Sequence, residues 1–219
     1  MSQLSTPRSP ALPIAQTEYT KTYQDTFGNI LRLYFTQLDA VNSALHGPLG
    51  AQYLDSPHIG AANTASQYAT ADDTPKLVEW NKAVSVKGFT LNPDNTATVS
   101  VSGIYKIDFR LQLANTANAP LDAVVWLQVN GGQVEDSTSI FTLAARKSAG
   151  VYTFMTAYSS VLFEAEEGDA IGLWWATEQA FISGTQDGIF ISAQAAQTTP
   201  YVRPAKPSSS GSITFLGRS

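Results

Sequence analysis

The sequence predicts an all-β jelly-roll sandwich carried behind an N-terminal extended arm and one α-helix. Three observations predict it. Residues 104–113 alternate strictly, with Tyr105, Ile107, Phe109, Leu111 and Leu113 facing one way and Lys106, Asp108, Arg110 and Gln112 the other, the period-2 pattern of a half-buried antiparallel strand. Turn signals such as Asn130-Gly131 and Asp187-Gly188 recur between short apolar runs, with no helical stretch between them, as in sandwiches and jelly rolls. Ahead of these runs stands one segment of helical period.

Five regions follow in order. Residues 1–21 form a Pro-rich arm, with Pro7, Pro10 and Pro13 among serines and threonines, a composition that builds no core of its own. Residues 22–47 form an amphipathic helix. Its apolar positions Phe27, Leu31, Tyr34, Leu38, Val41 and Leu45 are spaced four, three, four, three, four, the seam of a coiled coil. Ile30 and Leu33 widen the stripe, so the face also suits anchoring on a larger partner or packing on its own domain. Thr22 and Asp25 offer an N-cap region, and Gly47-Pro48 is a stop. Residues 48–76, rich in Ala, Ser, Asn, Thr and Gly, read as a linker or irregular packing. Residues 77–197 are the jelly-roll domain, and 198–219 a C-terminal tail.

Within the β region, strands are expected at 89–91, 97–101, 104–113, 123–129, 151–164, 170–177 and 189–195. Asn92-Pro93-Asp94-Asn95 and Glu166-Glu167-Gly168-Asp169 mark further turns. Both faces of residues 170–177 are apolar: Ile171, Leu173 and Trp175 on one side, Gly172, Trp174 and Ala176 on the other. A sandwich strand buries one face on its own core, so the second needs another cover. Residues 151–162 repeat the pattern, with Tyr152, Phe154 and Tyr158 opposite Val151, Met155 and Val161. Tyr152, Phe154, Tyr158 and Trp174 are therefore candidate subunit-interface residues. The competing expectation is a cover supplied by the chain's own loops or N-terminal region.

Composition excludes several function classes. Charged residues are 14% of the chain and the net charge is −5, with no basic run to neutralise phosphates, so nucleic-acid binding is not expected. There is no cysteine, which removes disulfides and thiolate metal sites. No segment approaches the roughly 20 apolar residues of a membrane span, and Met1–Thr20 lacks the apolar stretch of a secretory signal. The expectation is synthesis in a cytoplasm without export.

Chemistry is sought and not found. His46 and His58 carry no carboxylate motif for a metal. Glu164, Glu166, Glu167 and Asp169, or Asp72-Asp73, offer hard oxygens for calcium, but read far more readily as solvated turns. No Gly-x-Ser-x-Gly, phosphate loop or dinucleotide fingerprint occurs. Trp80, Trp126, Trp174 and Trp175 could stack on sugars, and serve more often as core or interface anchors. Neither an enzyme nor a cofactor is expected.

Five pieces in order resemble one family. Val101-Ser102-Gly103-Ile104-Tyr105-Lys106-Ile107-Asp108-Phe109, Val125-Trp126-Leu127-Gln128-Val129-Asn130-Gly131, Ser160-Val161-Leu162-Phe163 running on to Gly168-Asp169, Ala170-Ile171-Gly172-Leu173-Trp174-Trp175, and Phe181-Ile182-Ser183-Gly184 with Ile189-Phe190-Ile191-Ser192 resemble the trimeric jelly roll of tumour necrosis factor and the globular head of the first complement component. The resemblance implies a compact homotrimer and no single function. Residues 25–39, Asp25-Thr26-Phe27-Gly28-Asn29-Ile30-Leu31-Arg32-Leu33-Tyr34-Phe35-Thr36-Gln37-Leu38-Asp39, are similar to a segment of tailed-bacteriophage virion proteins. Together they imply a phage virion structural protein: a trimeric capsid decoration or cement protein on the capsid exterior, made in the host cytoplasm, with the major capsid protein as partner. The alternative is a head- or tail-fibre piece, such as a receptor-binding tip that takes host-surface glycan.

Overall fold

The computed structural model describes residues 8–14, 20–46, 56–199 and 201–217. The chain divides into two compact units, Met1–Asp55 and Ser56–Ser219.

In the first unit the helix α1 spans Lys21–His46. Its N-cap is Thr20, upstream of the expected Thr22 and Asp25: the Thr20 Oγ1 accepts from the Tyr23 amide at 3.3 Å, and the Gln24 amide donates to the Thr20 carbonyl. That hydroxyl satisfies one of the orphan amides of the first turn. The described part of the arm, 8–14, has no regular structure. It meets the helix where the Tyr23 hydroxyl donates to the Pro13 carbonyl, 3.3 Å. The expected stop at Gly47-Pro48 lies outside the described residues, as do residues 1–7 and 15–19 of the arm.

The second unit is a two-sheet antiparallel sandwich of thirteen strands: β1 (His58–Asn63), β2 (Lys76–Leu77), β3 (Lys82–Lys87), β4 (Phe89–Leu91), β5 (Ala97–Val99), β6 (Gly103–Asn115), β7 (Leu121–Val129), β8 (Gly132–Gln133), β9 (Ser139–Leu143), β10 (Thr153–Ala165), β11 (Ala170–Thr177), β12 (Ile189–Ile191) and β13 (Ser209–Gly217). One sheet runs β10-β6-β13-β1-β3, with β12 also on β6. The other runs β4-β5-β11-β7-β8, with β2 on β11 and β9 on β7. Neighbours in space are distant in sequence, which is the jelly-roll arrangement.

Alternation fills the space between the sheets. Tyr105, Phe109, Leu111 and Leu113 of β6 are buried completely or nearly so, opposite Val125 and Leu127 of β7 and Ile171, Leu173 and Trp175 of β11. Tyr105 anchors one of two apolar clusters, its ring against Phe89, Phe163 and Phe215, its hydroxyl donating to the Val101 carbonyl. The turns behave as their residues require. Asn130 and Gly131, between β7 and β8, both have positive φ (51° and 78°), as a tight hairpin turn demands.

Two expected boundaries change. The stretch read as linker, 48–76, contains β1, and the stretch read as tail, 198–219, contains β13. These strands pair with each other, and β13 also pairs with β6 along its length. The second unit thus runs from residue 56 rather than 77, and past 197. Trp80 lies against β13 at Gly211, where a Cβ would come 3.1 Å from its ring. Gln67 closes this region from within. It is 1% exposed; its Nε2 donates to the Glu79 carbonyl and to the Ser208 and Ser209 hydroxyls, and its Oε1 accepts from the Glu79 amide at 2.7 Å. β12 ends at Ile191, short of the expected 195.

Candidate assembly surface

β10 is the end strand of its sheet and pairs with β6 alone among the described strands. Its inward side chains, Met155, Ala157, Val161 and Phe163, join the two core clusters. Its outward row is Phe154, Thr156, Tyr158, Ser160, Leu162 and Glu164, in which Phe154 is 48%, Tyr158 56% and Leu162 63% exposed. Three large apolar side chains therefore stand in solvent along one edge strand of thirteen residues, a surface that folded proteins normally cover or break with charge.

Cross-strand neighbours fix the chemistry around the row. Tyr158 faces Arg110, Leu162 faces Lys106 and Ser160 faces Asp108. The Tyr158 hydroxyl donates to Asp108 Oδ1 at 3.2 Å, and Lys106 Nζ is 3.0 Å from Asp108 Oδ2. Partial burial pushes the Asp108 carboxyl up. The hydrogen bonds from Lys106, Ser160 and Tyr158, with the Lys106 charge, outweigh it and hold the group below its ordinary value.

At one end the row continues into an aromatic cluster. Phe154 and Phe190 both lie opposite Ala114. Tyr152 contacts Phe154 and Phe190, Phe190 contacts Phe181, and Tyr68 stacks on Phe190 at 5.3 Å and meets Phe181 at 5.8 Å. Ala114 is fully buried on the outward side of its sheet, so the rings are its lid. Tyr68 stays 44% exposed and extends the apolar surface.

The structure brings Tyr152, Phe154 and Tyr158 together and sets Trp174 apart. Trp174 is on the outward face of the other sheet, opposite Trp126, and β2 runs alongside it with Leu77 opposite. A Cβ on Gly172 would meet Leu77 at 2.8 Å and the Trp174 ring at 3.1 Å, so these side chains close over the glycine. The second face of β11 is thus covered in part by the chain's own β2. Sequence reasoning missed Leu162, Tyr68, Phe181 and Phe190. Leu162 was within reach, since it shares parity with Phe154 and Tyr158. The other three come from distant segments.

On α1, Phe27, Leu31, Tyr34, Leu38, Val41 and Leu45 lie on one face, each half-buried and none fully. Ile30 joins them. Leu33, expected to widen the stripe, is 61% exposed and points elsewhere.

Residues weighed for metal chemistry are engaged otherwise. The His58 ring nitrogens contact the Ser56 carbonyl and the Ser85 hydroxyl. Asp169 accepts from the Asn130 side chain and the Glu166 amide, and Asp72 from the Ala180 amide and Gln186. Among the described residues no group of three or more His, Cys, Asp or Glu is placed to hold a metal, and no helix is long and apolar enough to cross a membrane.

By fold the second unit is an antiparallel jelly-roll sandwich. The chain is similar to a solved tumour necrosis factor, "Structure of Eiger TNF from S. frugiperda", at 12% identity and a TM-score of 0.46, over 76% of this chain and 96% of that one. No family model matches the chain, and no curated protein matches it.

Proposed function

We propose that the chain is a structural protein of a tailed-bacteriophage virion, a homotrimer that binds the outer capsid shell and stabilises it. The observation that carries the assembly part is the exposed row Phe154, Tyr158 and Leu162 on the unpaired edge of β10. Tyr152 and Tyr68 continue it. Packing such a row against a neighbouring copy removes it from water at ~25 cal/mol per Å². A head-to-tail contact forms a ring where its rotation closes, and the resemblance to the trimeric jelly rolls favours closure with three copies. The virion part is supported by the likeness of residues 25–39 to virion proteins and by the organisation into arm, helix and knob. The role is mechanical. Three anchors per trimer engage the shell together, so individually weak contacts add through effective concentration.

The test is the copy number of the chain in purified particles, by quantitative mass spectrometry against the major shell protein. Hundreds of copies, in a multiple of three, are expected. A count near a dozen would replace decoration with a tail-fibre or receptor-binding role. Absence from every particle would end the virion reading.

A further inference from the structure

The heptad of α1 can be assigned residue by residue. Leu31, Leu38 and Leu45 fall at position a; Phe27, Tyr34 and Val41 fall at d. From Tyr23 onward no charged residue occupies e or g: g holds Tyr23, Ile30, Gln37 and Ala44, and e holds Gly28, Phe35 and Asn42. The charges Asp25, Arg32 and Asp39 all fall at b. From Phe27 onward half-burial follows the same register, at every a and d position and at the apolar g positions Ile30 and Ala44, while Gln24, the first a position, is exposed.

This pattern selects its occupant. A two-stranded coil favours β-branched residues at a and leucine at d, with charges at e and g that pair across the seam. Here leucine fills a, and the flanks are uncharged and partly apolar. Such a wide face suits a helix that touches two neighbours at once. A heptad seam is also self-complementary, so a second and third copy of the same helix fit it. The arm's hydrogen bond to the helix, at Tyr23, is about two turns before Leu31.

We infer that α1 winds with two other copies of itself into a parallel three-stranded coiled coil, with Leu31, Leu38 and Leu45 in its a layers and Phe27, Tyr34 and Val41 in its d layers. The inference rests on the homotrimer proposed above. Copies related by rotation about one axis carry helices that run the same way along that axis, so the coil is parallel and in register. At 26 residues the bundle is about 39 Å long. A helix of this length is marginal alone; the coil is what holds it. Phe35, at e, flanks the seam, and Leu33, at c, points away from it; the two are 57% and 61% exposed, and Leu33 stays available to a further partner.

Because the chain has no cysteine, cross-linking tests the register directly. Val41→Cys (position d) and Leu38→Cys (position a) are compared with Thr36→Cys (position f) in the full chain, under mild oxidation, with mass by sedimentation. The two seam variants are expected to give interchain disulfides about tenfold faster than Thr36→Cys, through their higher effective concentration. Covalent pairs should level off at two chains in every three. A trimer that cross-links no faster at 38 and 41 than at 36 would overturn the coil and leave the homotrimer standing. A chain that sediments as a monomer would remove both.

Discussion

Asn115 shows how much a single residue holds in this sandwich. It is fully buried at the end of β6. Its Nδ2 donates to the Ala119 and Ala144 carbonyls at 2.9 and 3.0 Å, and its Oδ1 accepts from the Ala117 amide at 2.8 Å. Asn115→Ala strands those backbone groups without water, and the expected loss is about 2–3 kcal/mol, read from urea unfolding. Asp108 makes a prediction in pH. Its folded pKa lies below the ordinary 3.8, so its stabilisation is complete above that value and is lost as pH falls below it. Between about pH 5 and pH 2.5 the native chain should lose more stability than Asp108→Asn. Equal slopes would remove the Lys106–Asp108–Tyr158 cluster as a source of stability.

β10 is the element on which the proposed assembly turns. Tyr158 faces Arg110 and Leu162 faces Lys106, so Tyr158→Glu with Leu162→Glu places each new carboxylate opposite a cation. In an isolated subunit the cross-strand pairs keep the fold within about 0.5 kcal/mol of the native one. In an interface the same carboxylates lose their water, a cost of several kcal/mol per ion. Made in the chain lacking Met1–Gly47, where the α1 coil no longer holds the copies together, the pair of substitutions is expected to give monomers with the native far-UV circular dichroism. Trimers of the truncated variant chain would show that β10 faces solvent in the assembly. The second face of β11 carries no such weight, because β2 covers part of it with Leu77.

At the scale of the molecule, the proposed function gives the two units separate roles. Both apolar clusters are built from residues of the sandwich. Deleting Met1–Gly47 is therefore expected to leave a folded domain that no longer binds particles, measured by co-sedimentation with capsids. Full decoration by the truncated chain would move the anchor to the sandwich. The strands with large alternating side chains were legible in the sequence: β4, β7, β10 and β11 lie within two residues of where the pattern put them. So were the hairpin at Asn130-Gly131 and the helix, whose start moved by one residue.

The sequence by itself determined whatever is local: a period of two or of 3.6, a turn residue at positive φ, a row of outward aromatics on one strand. Those signals arise between residues a few positions apart, where side-chain geometry is set by the backbone alone. Only the tertiary structure decided that Ser209–Gly217 is an interior strand and that His58–Asn63 lies beside it. Both look like loops because small residues make up much of them, and around Gly211 the space is narrow. Trp80 fills it from one side, leaving room for glycine at 211, and Gln67 ties it to Ser208 and Ser209 across more than 140 residues of chain. The aromatic lid over Ala114 has the same origin. Tyr68, Phe154, Phe181 and Phe190 meet through strand pairings that no local pattern encodes, so the full extent of the candidate assembly surface appears only once the sheets have formed.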